Sequence, residues 1–121
     1  DLEEDTDEWW RNVGEICRAL VAKTGGADSI AAVGVTGMLP AVILLDREGR
    51  PLRRSIQQND ARATVELEGY RTAMNEAEFL SLTGTGYSQQ LVGPKLMWLR
   101  THEPDVFSQA KHVLGATDYI I

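Results

Sequence analysis

Two runs constrain the fold most: Ile30-Ala31-Ala32-Val33-Gly34-Val35 and Val42-Ile43-Leu44-Leu45. A strand with one wet face alternates apolar and polar residues. These runs do not alternate, so both of their faces must be covered, which predicts strands inside an α/β sheet flanked by helices. Asp46-Arg47-Glu48-Gly49-Arg50-Pro51 carries the acid, glycine and proline of a tight turn. A third strand over Arg54 to Gln58 would make three strands across residues 30–58, with a hairpin at Gly49.

Helices account for most of the rest. Trp9, Val13, Ile16, Cys17, Leu20 and Val21 recur at helical spacing, Asp5 and Glu8 read as an N-cap with its capping-box partner, and Gly25-Gly26 as the stop. That spacing predicts a buried apolar face, with Cys17 an inert packed thiol and Trp9, Trp10 and Trp98 packing residues. Ala63, Leu67, Tyr70 and Met74 mark a second helix, capped by Asn59 or Asp60. Asn75 with Glu78 starts a third helix that stops at Thr83-Gly84. Gly84 to Gly93 is a polar loop, and Pro94 suits the first turn of a fourth helix bearing Leu96, Trp98 and Leu99. Glu103-Pro104 starts a short helix, His112 to Ala116 reads as a strand, and Thr117 as the cap of a last helix.

Charge and composition exclude several classes. Six of the 18 acids stand before Trp9 with no base among them, and the remaining acids balance the 12 bases. The body therefore has no basic surface to displace counterions, and no nucleic-acid partner is expected. The longest apolar run, Ala41 to Leu45, is far short of the roughly 18 residues of a membrane span, so no membrane partner is expected either. One cysteine cannot close an internal disulfide, which fits a reducing cytoplasm. No Walker phosphate loop is present, Gly34-Val35-Thr36-Gly37 is too short for a dinucleotide fingerprint, and His102 and His112 have no ligand-spaced partners for a metal.

Three segments are left over. Gly37-Met38-Leu39-Pro40 follows an apolar strand, where α/β sheets commonly bind ligands, or is a plain turn. Gln57-Gln58-Asn59-Asp60-Ala61-Arg62 joins a strand to a helix, either as a cap or facing a ligand. Tyr87-Ser88-Gln89-Gln90 leads into Pro94-Lys95 as a solvated loop or a site loop.

In order, these segments resemble the N-terminal domain of the FGGY carbohydrate kinase family, in xylulose kinase-like form. The resemblance rests on Trp9-Trp10, Ile30 to Gly37, Leu44 to Leu52, Asn59-Asp60-Ala61-Arg62, Leu82-Thr83-Gly84, Pro94 to Leu99 and Asp118-Tyr119. It implies a ribonuclease H-like, actin-like ATPase fold, and transfer of the γ-phosphoryl group of Mg-ATP to a sugar or polyol hydroxyl. Such catalysis is chiefly positioning and charge stabilisation, with a carboxylate as base.

On this resemblance residues 1–121 are a partial N-terminal, sugar-side domain. The first strand and phosphate turn would precede Asp1, and the catalytic aspartate and ATP-binding second domain would follow Ile121. No catalytic, cofactor-binding or metal residue is therefore expected here. Glu8, Asp46 and Asp60 are not taken as the base, and residues 1–121 alone should bind neither ATP nor Mg2+. The expected substrate contacts are Leu39, Pro40, Gln58, Asp60 and Gln90. Family members of the xylulose kinase type carry Gln-Met-His-Gly where Met38-Leu39-Pro40-Ala41 stand, with Met-His on the substrate. Gln58 stands where the family often has tryptophan. Losing the imidazole removes a partner for a sugar hydroxyl, which leaves another ketose, a polyol or a modified sugar open. The expected partners are the sugar or polyol, the rest of the kinase chain and, further, a second copy in a homodimer. A non-catalytic module of the same ancestry is the alternative. An accidental likeness would be favoured if segment 30–37 did not pair with 42–46.

Overall fold

The computed structural model describes residues 2–121. Its centre is β2 (Ile43–Leu45). Residues Ala41 to Leu45 are each at most 5% exposed, as a run apolar on both faces requires. One edge of β2 pairs antiparallel with β4 (His112–Leu114), with Ile43 opposite Leu114 and Leu45 opposite His112. The other edge turns back on itself through the hairpin at Gly49. Leu52 donates its amide to the Leu44 carbonyl at 2.9 Å, and Val42 and Ile56 exchange amide-to-carbonyl bonds at 2.9 and 3.0 Å. Ile56 belongs to β3 (Ser55–Ile56), which in turn pairs antiparallel with β1 (Glu3–Glu4). The two short ladders therefore join at Val42–Ile56 into one antiparallel layer.

Asp46 builds the hairpin turn. Its carboxylate accepts from the amides of Glu48 and Arg50, both at 2.9 Å, and from the Arg50 guanidinium at 2.8 Å. Gly49 has φ +80°, a backbone conformation that favours glycine.

One expected strand is absent. Residues 30–37 form no strand and do not pair with 42–46, and Val33 is 75% exposed. Both edges of β2 are spent, on β4 and on the hairpin, so segment 30–37 cannot pair with it. The apolar face of α1 (Thr6–Lys23) is likewise not core: Trp10, Ile16 and Leu20 are exposed, and so is Cys17, which was expected to be buried. Its first turns are partly covered: Trp9 and Val13 are half-buried and share a cavity with Met38, Ala116 and Ile120. The ends of α1 do follow the sequence. Asp5 accepts from the amides of Asp7 and Glu8, and Gly26 donates back to Val21.

Five further helices follow the hairpin: α2 (Thr64–Ala73), α3 (Glu76–Thr83), α4 (Val92–His102), α5 (Pro104–Gln109) and α6 (Ala116–Ile120). Both α2 and α5 pack on α4. Leu99 of α4 joins Val42, Leu44 and Ile56 in the buried core, with Leu96, Trp98 and Phe107 around it. Asn75 caps α3 through the Glu78 amide, and Gly84 ends it in the left-handed conformation. Two caps differ from expectation. Ala63, not Asn59 or Asp60, precedes α2, and Gly115, not Thr117, precedes α6, where the Asp118 carboxylate accepts the Gly115 amide.

The α2–α4 contact needs a glycine. A Cβ on Gly93 would lie 2.2 Å from the Tyr70 hydroxyl oxygen and 2.9 Å from its Cζ. Gly93→Ala should therefore destabilise the fold by about 1–2 kcal/mol, and adding Tyr70→Phe should recover part of the loss. Urea unfolding tests this, and an unchanged midpoint for Gly93→Ala would show that Tyr70 moves aside freely.

Candidate functional site

Charge organises the junction between β3 and α2. Asp60 is buried, and its carboxylate takes a two-pronged contact from the Arg62 guanidinium, at 2.8 and 2.9 Å, and the Arg62 amide at 2.9 Å. It also accepts the Leu2 amide, which fastens the N-terminal segment to the junction. Arg62 continues to Glu3 at 2.8 Å, and its guanidinium lies 4.8 Å from the centre of the Trp98 ring. Glu3 also pairs with Arg53, which reaches Glu103 at 2.9 Å. One ionic chain thus links β1, the loop before β3, the junction and the turn between α4 and α5.

The protonation states follow from this wiring. Burial alone would raise the Asp60 pKa, but the Arg62 guanidinium and the Leu2 and Arg62 amides outweigh it and hold the carboxyl well below the usual range. Glu3 follows the same pattern: burial opposes, Arg62 and Arg53 prevail, and its pKa is lowered. Lys95, on the first turn of α4, is fully buried. Its ammonium donates to the carbonyls of Gln57 at 2.7 Å and Gln58 at 2.9 Å. Burial pushes its pKa below the ordinary lysine value, and the Asp60 carboxylate partly opposes that shift.

Two cavities flank the 36–41 segment. Leu39 and Pro40, joined by a cis peptide bond, line one of about 320 Å3 together with Val92, Val113, Leu114 and Asp118. Met38 turns into the other, of about 300 Å3, with Trp9, Val13 and Gln57. The segment is therefore a partition, with successive side chains in separate spaces.

The expected site residues fall into three groups. Leu39 and Pro40 share a cavity, and its wall at Val92 is two residues beyond Gln90. Gln58 is half-buried and Gln90 is exposed, and neither lines either cavity. Gln58 is nevertheless adjacent to Gln57, which lines the Met38 space. Asp60 lines neither cavity, and its oxygens are occupied by Arg62 and Leu2. Its local geometry is that of a support for the junction. Sequence reasoning missed Glu3, Arg53 and Lys95. Glu3 was submerged in the acidic tip, and only the pairing of β1 with β3 brings it to the two arginines. Lys95 carried a signal in hindsight, as a lysine followed by Leu96 on the apolar side of its helix.

The FGGY family of carbohydrate kinases, N-terminal domain, matches residues 2–121. A xylulose kinase of Escherichia coli (strain K12) is 30% identical over 118 residues, covering 98% of this chain and 24% of that protein. A glycerol kinase of Gluconobacter oxydans (strain 621H) is 31% identical over 111 residues, covering 91% of this chain and 22% of that protein. The crystal structure of xylulose kinase from Rhodospirillum rubrum superposes with a TM-score of 0.84 at 45% identity, covering 98% of this chain and 25% of that one. The chain thus spans about a quarter of the length of the curated relatives it matches. The fold is that of these sugar kinases, the ribonuclease H-like, actin-like ATPase class. The unpaired segment 30–37 therefore does not mark an accidental likeness.

Breaking the buried pair tests the support role. Asp60 and Arg62 side chains are 0% and 4% exposed, so Asp60→Asn, which leaves the guanidinium with Glu3 as its one carboxylate, should cost about 2 kcal/mol near pH 7. A depressed carboxyl pKa contributes stability above the unfolded value of about 4 and loses it as the pH falls toward the folded pKa. Wild-type stability should therefore drop between pH 5 and pH 2, and Asp60→Asn should drop less. Urea unfolding across that range measures both, and parallel pH curves would remove Asp60 from the account.

Proposed function

The chain belongs to the FGGY family of carbohydrate kinases, and on that premise we propose that it forms the sugar-side wall of an ATP-dependent kinase for a sugar or polyol, most like a xylulose kinase. The observation that carries this reading is the family match across residues 2–121, which takes in all three segments left over from the sequence. In this reading Leu39 and Pro40 pack against the carbon face of the substrate, and Gln58 and Gln90 offer amides to its hydroxyls. Asp60 acts behind them by holding Arg62 and the junction. ATP with Mg2+ supplies the phosphoryl group and neutralises its charge. In this reading neither group is assigned a residue of this chain. The catalytic base is likewise assigned outside it.

The apolar pair at Leu39-Pro40 bears on the substrate. A wall that hydrogen-bonds a sugar hydroxyl discriminates strongly against analogues lacking it, and an apolar wall discriminates weakly. The intact kinase should accept several ketoses and polyols, with xylulose among them rather than far ahead of them. Pro40→His, which supplies an imidazole, should raise kcat/KM for xylulose over that for glycerol on the order of tenfold.

A coupled assay of ADP release with a panel of ketoses, aldoses and polyols tests the reading. Phosphorylation of at least one member is expected. A folded intact protein inactive on all of them would contradict it and favour a non-catalytic binding module of the same ancestry.

A further inference from the structure

Lys95 is a buried cation in an unusual setting. It is the largest fully buried side chain in the described chain, yet no carboxylate lies within ion-pair distance of it among the described residues. The nearest candidate, Asp60, has its oxygens taken by Arg62 and Leu2. Burying an ammonium in this way is costly, and an apolar side chain of the same length would fill the space without that cost. What the ammonium does that a methyl group could not is donate hydrogen bonds to two carbonyls, those of Gln57 and Gln58, and so hold both in place.

Those two carbonyls have a particular relation to one residue. The Gln57 carbonyl belongs to the peptide plane before the Gln58 Cα, and the Gln58 carbonyl to the plane after it. Fixing both planes fixes both backbone torsions of Gln58, and with them the direction of its Cα–Cβ bond. The Gln57 carbonyl also accepts the Asp60 amide at 3.1 Å, which ties the clamp to the Asp60–Arg62 pair. The Gln58 side chain itself makes no hydrogen bond among the described residues, so its backbone is what aims it.

From this we propose that Lys95 is a positioning residue for substrate recognition: by clamping the carbonyls on either side of Gln58, it aims the Gln58 amide at a sugar or polyol hydroxyl. This rests on the functional reading above, in which Gln58 faces the substrate. Lys95 touches no substrate. It acts through the backbone of Gln58, so its loss should weaken sugar binding and leave the nucleotide side unaffected.

The test uses the intact kinase and the variants Lys95→Met, Gln58→Ala and the double variant. Lys95→Met should raise KM for the preferred sugar or polyol on the order of tenfold, with kcat and the KM for ATP changed less than about twofold. The double variant should be no worse than the poorer single one, because both remove the same contact. Hydrogen exchange supplies a readout independent of turnover. Amides 58–60 should exchange on the order of tenfold faster in Lys95→Met, while those of β2 and β4 keep their wild-type rates. If Lys95→Met does not fold, Lys95→Gln, a shorter neutral donor, should show the same pattern to a smaller degree. An unchanged sugar KM, additive effects in the double variant, or exchange raised equally throughout the chain would each overturn the proposal. A wild-type enzyme inactive on the whole panel is a different failure: it sinks the kinase reading, and this role with it.

Discussion

The buried Asp60–Arg62 pair is the joint on which the other elements converge. Through the Leu2 amide it holds the N-terminal segment, through Glu3 it holds β1 against β3, and through the ring of Trp98 it reaches α4. The apolar core is small, ten buried hydrophobic residues among those described, half of them in the run Ala41 to Leu45. It fixes the layer and the helices on it, but it does not dictate where a polar strand-to-helix junction should run. Charge does that here. An ion pair so deeply buried contributes little net stability once desolvation is counted, but it strongly penalises any arrangement that separates its members. The junction is therefore specified more than it is stabilised.

That distinction bears on function. Sugar recognition needs amides and apolar surfaces held at fixed positions, because hydroxyls discriminate through the direction of their hydrogen bonds. The 57–62 junction is held from three sides, by the Arg62 chain, the Leu2 amide and the Lys95 ammonium. The 36–41 partition is anchored at one end, by Ala41 running into β2, and its Met38 and Leu39 side chains enter different cavities. On the proposed reading the first is the mount of the sugar site and the second its wall.

Much of the fold was legible because local rules decide it. The two-sided apolar run at 42–45, the Asp46–Pro51 turn, the Asn75 cap, the Gly84 stop and the break at Pro104 all form as their residue chemistry dictates. Segment 30–37 and the α1 face were misread for a common reason. Apolar patterning states that a surface wants cover but not which neighbour supplies it, and β2 had no free edge to give. The candidate site was legible in part. Leu39 and Pro40 could be placed on one wall from sequence order and family likeness. The Glu3–Arg53–Arg62 chain could not, because its members are some 50 residues apart and meet only through the β1–β3 register. Asp60 read as a cap or a ligand group, since an acid at a helix entrance is ambiguous until its partner is known.

The central claim is that the Leu39–Pro40 wall and the Gln58 and Gln90 amides together face the sugar or polyol. A crystal structure of the intact kinase with its best substrate, determined without ATP, tests it most directly. The account predicts substrate carbons in van der Waals contact with Leu39 or Pro40, a hydroxyl within hydrogen-bond distance of the Gln58 side chain, and Asp60 still bound to Arg62 and apart from the substrate. A substrate bound away from both segments, or one that draws Asp60 out of its pair with Arg62, would contradict it.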